Sequence, residues 1–241
     1  TGSSMAKPLA DQVVVITGAS SGIGRCAAKH LAERGARVVL TARRAEALAS
    51  LVAEIEASGR QALAVPGDVT RQEDMDAAAR AAEERFGALD TWVNNAAVYI
   101  QGAAMDLTME EYRRLFEVNV LGAIHGTKAA LKSMLPRREG VIIQVSSIVG
   151  KRGAPLAAGY AMSKHALDGF TESLRSEIWG RGVHLSTLYL PSIDTPIYQH
   201  ARGKLGTAPK PVPPVMPPEK AAKAIAELAE TAETTKYLGL F

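Results

Sequence analysis

From Val13 the chain reads Val-Val-Val-Ile and passes directly into Thr17-Gly18-Ala19-Ser20-Ser21-Gly22-Ile23-Gly24, where an Ala-rich helical pattern begins. Four consecutive apolar positions predict a strand covered on both faces, as in a parallel sheet lined by helices. The three glycines that follow let the backbone turn tightly and let another group approach it closely. A buried strand, a glycine turn and a helix in immediate succession commit this end of the chain to a βαβ unit.

The same rhythm then repeats. Short β-branched runs predict strands near Gln12–Thr17, Arg37–Thr41, Gln61–Val65, Leu89–Asn94, Val141–Ser146 and Val183–Leu190. Helical patterns lie between and after them, near Ile23–Arg34, Ala45–Ser58, Arg71–Phe86, Met109–Met134 and Ala158–Trp179. Parallel strands joined by helices require right-handed crossovers. The expected fold is therefore α/β, a doubly wound (Rossmann-type) parallel sheet flanked by helices on both faces, in a single domain over residues 7–241. A chain of 241 residues is long enough to bury a substantial core in that form.

One segment breaks the rhythm. Pro191–Pro218 holds eight of the twelve prolines, so it is neither a central strand nor a helix interior. A helical pattern at Glu219–Glu230 follows it, and Thr235–Phe241 is a short apolar run suited to a last strand. An insertion of this length inside a domain is read as a substrate lid over residues 191–218 in preference to a solvated linker.

Composition removes several function classes. A net charge of +3, with no basic cluster interleaved with aromatics, argues against a nucleic-acid partner. No apolar run has the length of a membrane span. Cys26 is the single cysteine, which excludes an intrachain disulfide and cysteine-rich metal sites and suits a reduced, cytoplasmic compartment. Cys26 itself reads as a small apolar residue on a helix against the sheet. The five histidines show no metal-ligand spacing, so no metal site is expected. Thr1–Met5 reads as a vector remnant, with residues 1–6 a disordered start.

The glycine turn is placed to receive a dinucleotide. Unpaired N–H groups and the helix dipole favour a pyrophosphate at the N-terminus of the helix that begins there. At the end of the second strand, Leu40-Thr41-Ala42-Arg43-Arg44 offers no carboxylate to accept bonds from ribose hydroxyls. Arg43 is instead suited to a 2′-phosphate, so the expected cofactor is NADP(H) in preference to NAD(H).

Further along, Tyr160-Ala-Met-Ser-Lys164 lies 13 residues after Ser147. The i, i+4 spacing puts Tyr160 and Lys164 on one helix face. Ser147 ends the fifth strand, at the carboxyl edge where ligands bind in open α/β sheets. A tyrosine titrates near about 10, and a neighbouring ammonium or a positive nicotinamide favours the tyrosinate. Moving it by about 3 units takes roughly 4 kcal/mol of differential interaction.

With Asp68-Val69, Asn94-Asn95-Ala96 and Asn119 added, the sequence resembles the short-chain dehydrogenase/reductase family in its compact single-domain branch, from Asp11 to about Ala232. The resemblance implies that Ser147 holds the substrate oxygen, Tyr160 exchanges the proton and Lys164 bonds the nicotinamide ribose. Asn119 would anchor a water linking Lys164 to solvent. Asp68 would bond the adenine amino group, Val69 would pack on the ring and Asn94 would close the cleft. The implied cofactor set comprises Gly18, Ser20, Ser21, Gly22, Ile23, Gly24, Arg43, Asp68, Val69, Asn95, Ala96, Pro191, Ile193 and Thr195, with Tyr160 and Lys164. Thr195 would bond the carboxamide. Two glycines usual in the family are replaced, by Ala97 and Ser192, from which altered loop geometry is expected and not lost catalysis.

The expected activity is interconversion of a ketone or aldehyde and its alcohol. Val212, Val215, Met216, Ile197 and Tyr198 suggest an apolar small-molecule substrate, with Arg202, Lys204 and Lys210 read as solvated. His200 lies in the lid and could touch substrate. The alternatives are a catalytically silent NADP-binding regulator or scaffold, and a sugar epimerase or dehydratase. The latter needs a larger C-terminal substrate domain. By resemblance, a homodimer or homotetramer through Met109–Met134 and Ala158–Trp179 is expected.

Overall fold

Successive side chains of the first strand point to opposite faces of the sheet, and both faces are buried. In the computed structural model, which describes residues 6–200, 202–203 and 211–239, β1 (Val13–Thr17) places Val14 and Ile16 in one apolar core and Val13 and Val15 in another. The first core lies under α1 (Gly22–Glu33), α2 (Ala45–Ala57) and the late helix α7 (Pro218–Thr231). The second lies under α3 (Gln72–Phe86) and α5 (Gly122–Arg137), around the fully buried Trp92. Continuous apolar strands are therefore accounted for by helices on both sides.

The remaining sheet strands are β2 (Arg37–Thr41), β3 (Ala62–Ala64), β4 (Thr91–Asn94), β5 (Gly140–Ser147), β6 (Val183–Leu190) and β7 (Thr235–Tyr237). Their order is β7-β6-β5-β4-β1-β2-β3, parallel throughout. This is the doubly wound sheet expected, in one domain, with the reversal of direction between β1 and β4. Ligands of open α/β sheets bind at such a reversal, outside the carboxyl ends of the strands.

Two features depart from the linear reading. The helix expected over Met109–Met134 is α4 (Met109–Phe116), a π-helical segment Glu117–Leu121, and then α5. Thr108 and Glu111 form a reciprocal capping box at the start of α4, which fixes where it begins. The π segment adds a residue to the turn and contains Asn119. In the proline-rich segment, Ser192–Ile193 pairs with Val215–Met216 and Arg202–Gly203 pairs with Ile100–Gln101, both parallel, around a short helix Ile197–His200. Residues 1–5, 201, 204–210 and 240–241, and the side chains of Gln199, His200 and Arg202, lie outside the described residues, and with them the readings made for His200, Arg202, Lys204 and Lys210. Helix α6 (Ala158–Glu177) carries the Tyr-Lys pair. Cys26 on α1 is half-buried against the first core. Among the described residues no helix is long and apolar enough to cross a membrane.

Candidate active site

A crevice of about 610 Å³ opens along the carboxyl ends of β1, β4, β5 and β6. Its floor is the glycine turn. Gly18 has φ +67°, and a Cβ there would lie 2.8 Å from the Ala96 Cα; Gly22 has φ +53° against the Thr195 side chain. Both positions demand glycine, for conformation and for space. Ser21 caps α1 without a side-chain hydrogen bond, so the first-turn N–H groups have no side-chain partner of the usual capping kind. The turn is held from β4: Thr17 Oγ1 accepts from the backbone N–H of Asn95 and of Ala96, each at 3.0 Å, and Asn95 Nδ2 donates to the Thr17 carbonyl at 2.9 Å.

Gly24 does not line the crevice; it seats the helix. A Cβ on it would lie 2.4 Å from the Gly18 carbonyl oxygen and 2.6 Å from Asn95 Nδ2. Gly24→Ala is therefore expected to cost about 1–3 kcal/mol through overpacking. Thermal unfolding should report this as a fall of roughly 2–4 °C per kcal/mol.

At the far end, Ser147, Tyr160 and Lys164 meet on the same crevice. Ser147 Oγ donates to the Leu190 carbonyl at 3.4 Å, and Ser146 is turned away into the protein toward Asp168. Lys164 is 3% exposed and donates to the Val145 carbonyl at 2.9 Å, with Nζ 5.6 Å from the centre of the Tyr160 ring. Burial pulls the Lys164 ammonium down to about 8, against the opposing charge of Asp168. Burial pushes the Tyr160 phenol up, as do Tyr198 and Tyr99, while its hydrogen bond with Ser147 acts the other way. Asn119 stands behind the wall: Nδ2 donates to the Val98 carbonyl and to Ser163 Oγ, both at 3.0 Å, and Oδ1 accepts from Val98 N–H. Ser163 in turn donates to the Tyr160 carbonyl at 2.7 Å. The π segment thus ties β4's extension to the start of α6.

A family model described as short chain dehydrogenase matches residues 12–205. The chain belongs to the short-chain dehydrogenase family. It is 46% identical over 206 residues to the uncharacterized oxidoreductase YxnA of Bacillus subtilis, covering 84% of this chain and 58% of that protein. It is 40% identical over 174 residues to dehydrogenase/reductase SDR family member 7 of Homo sapiens, covering 70% of this chain and 51% of that one. The chain thus spans little more than half the length of these relatives. Among solved structures, an alcohol dehydrogenase from the archaeon Thermococcus sibiricus, complexed with 5-hydroxy-NADP, superposes with a TM-score of 0.81 at 28% identity, covering 95% of each chain. The chain accordingly has the fold of the short-chain dehydrogenase family.

The remaining residues expected of a short-chain dehydrogenase site distribute as follows. Ser20, Ser21, Ile23, Arg43, Asp68, Val69, Asn95, Ala96, Pro191, Ile193 and Thr195 all line the crevice. Burial acts to raise the Asp68 carboxyl, but two hydrogen bonds from Thr70, with Arg43 and Arg114 nearby, hold it below the usual carboxylate range. Asn94 is different. Strand alternation turns it inward with Trp92, where it accepts from Trp92 Nε1 at 2.8 Å and donates to Thr127 and Gln144 at 3.0 Å. It braces the second core, and the neighbouring Asn95, not Asn94, lines the crevice. Ala97 and Ser192 both line the crevice with backbones outside the left-handed region, so neither position requires the usual glycine.

Several site residues were not predicted. Arg44 donates to the Ser20 carbonyl and hydroxyl, both at 3.3 Å, so two arginines border the crevice beside the glycine turn. Its position next to Arg43 was the available signal. Tyr99 packs edge-on against Tyr160 at 5.0 Å and against Tyr198 at 5.7 Å. Nothing in local sequence periodicity marks that trio. Burial pushes the Tyr99 phenol up, with Tyr198 adding to it.

Proposed function

We propose that the protein is an NADP(H)-dependent oxidoreductase that interconverts an uncharged, apolar ketone or aldehyde and its alcohol, with Tyr160 as general acid and base. The observation that carries this reading is one crevice joining Ser147, Tyr160 and Lys164 to a backbone cradle and two arginines. The cradle fits a dinucleotide, because a Cβ at Gly18 would fill it and no side chain caps α1. Arg43 and Arg44 would hold a 2′-phosphate, and the end of β2 itself carries no Asp or Glu to accept from ribose hydroxyls. The fold neighbour's complex with 5-hydroxy-NADP supports the same choice.

When bound, the reduced nicotinamide supplies the hydride. Ser147 Oγ donates to the substrate oxygen as negative charge develops there. Tyr160, kept protonated by burial, delivers its proton to that oxygen. Lys164, charged below about pH 8, lies under the Tyr160 ring and stabilises the tyrosinate left behind. Asn119 and Ser163 hold the first turn of α6, and so the phenol, in place. Val98, Ile148, Val149, Tyr99, Tyr198 and Val212 line the substrate end, which favours an apolar molecule. The segment at Val212–Pro214 acts as its lid.

Titration of the protein with NADPH and NADH by nucleotide fluorescence tests the cofactor assignment. Preferential NADPH binding is expected. Equal affinity for both nucleotides would remove the role given to the arginines, and binding without turnover of any carbonyl would favour a regulator or scaffold.

A further inference from the structure

Asp168 is a carboxylate that is only 5% exposed, one helical turn beyond Lys164 on α6. A buried carboxylate is costly unless its oxygens are paired, and here both are. Oδ1 accepts from Ser146 Oγ at 3.1 Å, Oδ2 accepts from the Tyr189 hydroxyl at 3.0 Å, and Lys151 Nζ lies 3.4 Å from Oδ2. Every partner borders the reacting trio. Ser146 precedes Ser147. Tyr189 precedes Leu190, whose carbonyl takes the Ser147 hydroxyl. Lys151 follows the turn Ile148–Gly150 that leaves Ser147.

Gly150 marks how closely these groups meet. A Cβ there would lie 3.1 Å from Ser146 Oγ, 3.2 Å from Asp168 Oδ2 and 3.2 Å from Lys164 Cβ. Lys164 faces Tyr160 and Asp168 on its own helix, and Asp168 in turn meets Lys151 after β5 and Tyr189 on β6. Glu172 reaches the cluster only through Lys151, at 3.1 Å. Burial pushes the Tyr189 phenol up to about 12, so it remains a donor to the carboxylate. Asp168 is thus the single buried anion beside a buried ammonium among the described residues of this cluster.

We propose that Asp168 is a positioning residue for the reaction: its carboxylate clamps the ends of β5 and β6 to α6 and supplies the counter-charge that keeps Lys164 protonated. The catalytic part rests on the function proposed above. The electrostatic part is read without turnover.

The test is side-chain nitrogen NMR of the lysines in the full chain, with the Lys164 signal assigned through Lys164→Arg. Wild-type Lys164 is expected to titrate near 8. Asp168→Asn should move it down by about 1 unit, the lower end of what a neighbouring opposite charge does. Lys151→Met should move it up, because the carboxylate is then unshared and a like charge is gone. Lys151 is 40% exposed, so this variant is expected to fold even where Asp168→Asn does not. An unchanged Lys164 titration in Asp168→Asn overturns the proposal. Where that variant does not fold, an unchanged titration in Lys151→Met does so. In turnover, the alkaline limb of kcat should move in the same sense as each titration. A wild-type protein that reduces no carbonyl sinks the proposed function and leaves the titration to decide Asp168 separately.

Discussion

Tyr160→Phe is expected to lower kcat for NADPH-dependent carbonyl reduction by about 10²–10⁴-fold, the usual worth of a positioned general acid. The substitution removes the one hydroxyl placed to give a proton to the substrate oxygen. It keeps the ring, and with it the edge-on packing against Tyr99 at 5.0 Å. Ser147 keeps its bond to the Leu190 carbonyl, and Lys164 its bond to the Val145 carbonyl. NADPH affinity should therefore change by less than about threefold, or roughly 0.7 kcal/mol. Single-turnover kinetics with saturating nucleotide separate the two effects. A loss confined to KM would show Tyr160 to be a binding residue only.

Arg43→Ala is expected to weaken NADPH binding by roughly 10- to 100-fold and to leave NADH binding nearly unchanged. The size follows from a charge-assisted hydrogen bond of about 1.5–3 kcal/mol. Arg43 is exposed at the end of β2 and lies close enough to Asp68 to help hold that carboxyl ionised. Its loss removes a partner that only a 2′-phosphate would use. Arg44 is tied to Ser20 of the glycine turn, so Arg44→Ala should weaken both nucleotides, because it loosens a loop that both occupy. The contrast between the two variants distinguishes recognition of the 2′-phosphate from support of the loop. Fluorescence titration with each nucleotide reads it directly.

What could be read from the sequence was what local rules encode. Val-Val-Val-Ile followed by a glycine turn announced β1, its burial on both faces and the helix after it, and the structure holds all three. Tyr160 and Lys164 announced one another by helical spacing. The misreadings arose where contacts between distant segments decide. Asn94 ended a strand and looked available to the cleft, yet its network with Trp92, Thr127 and Gln144 spans two strands and a helix. The break at Glu117–Leu121 was invisible in a continuous helical pattern, because the bond from Asn119 to Ser163 that it serves joins residues 44 apart. Nothing local marks Asp168, because only the approach of β5 and β6 gives it partners. The proline-rich segment lacked periodicity, so its two short strand pairs had no local signature.

Hydride transfer between NADPH and a carbonyl is tested most directly with deuterium. The wild-type protein is incubated with NADPH carrying deuterium on the transferable position and with a panel of neutral apolar ketones and aldehydes, and the products are read by mass spectrometry. The expected product is an alcohol carrying one deuterium on the former carbonyl carbon, formed at a far lower concentration of NADPH than of NADH and nearly abolished in Tyr160→Phe. An absence of deuterated alcohol across the panel, with NADPH still bound, would contradict the proposed function.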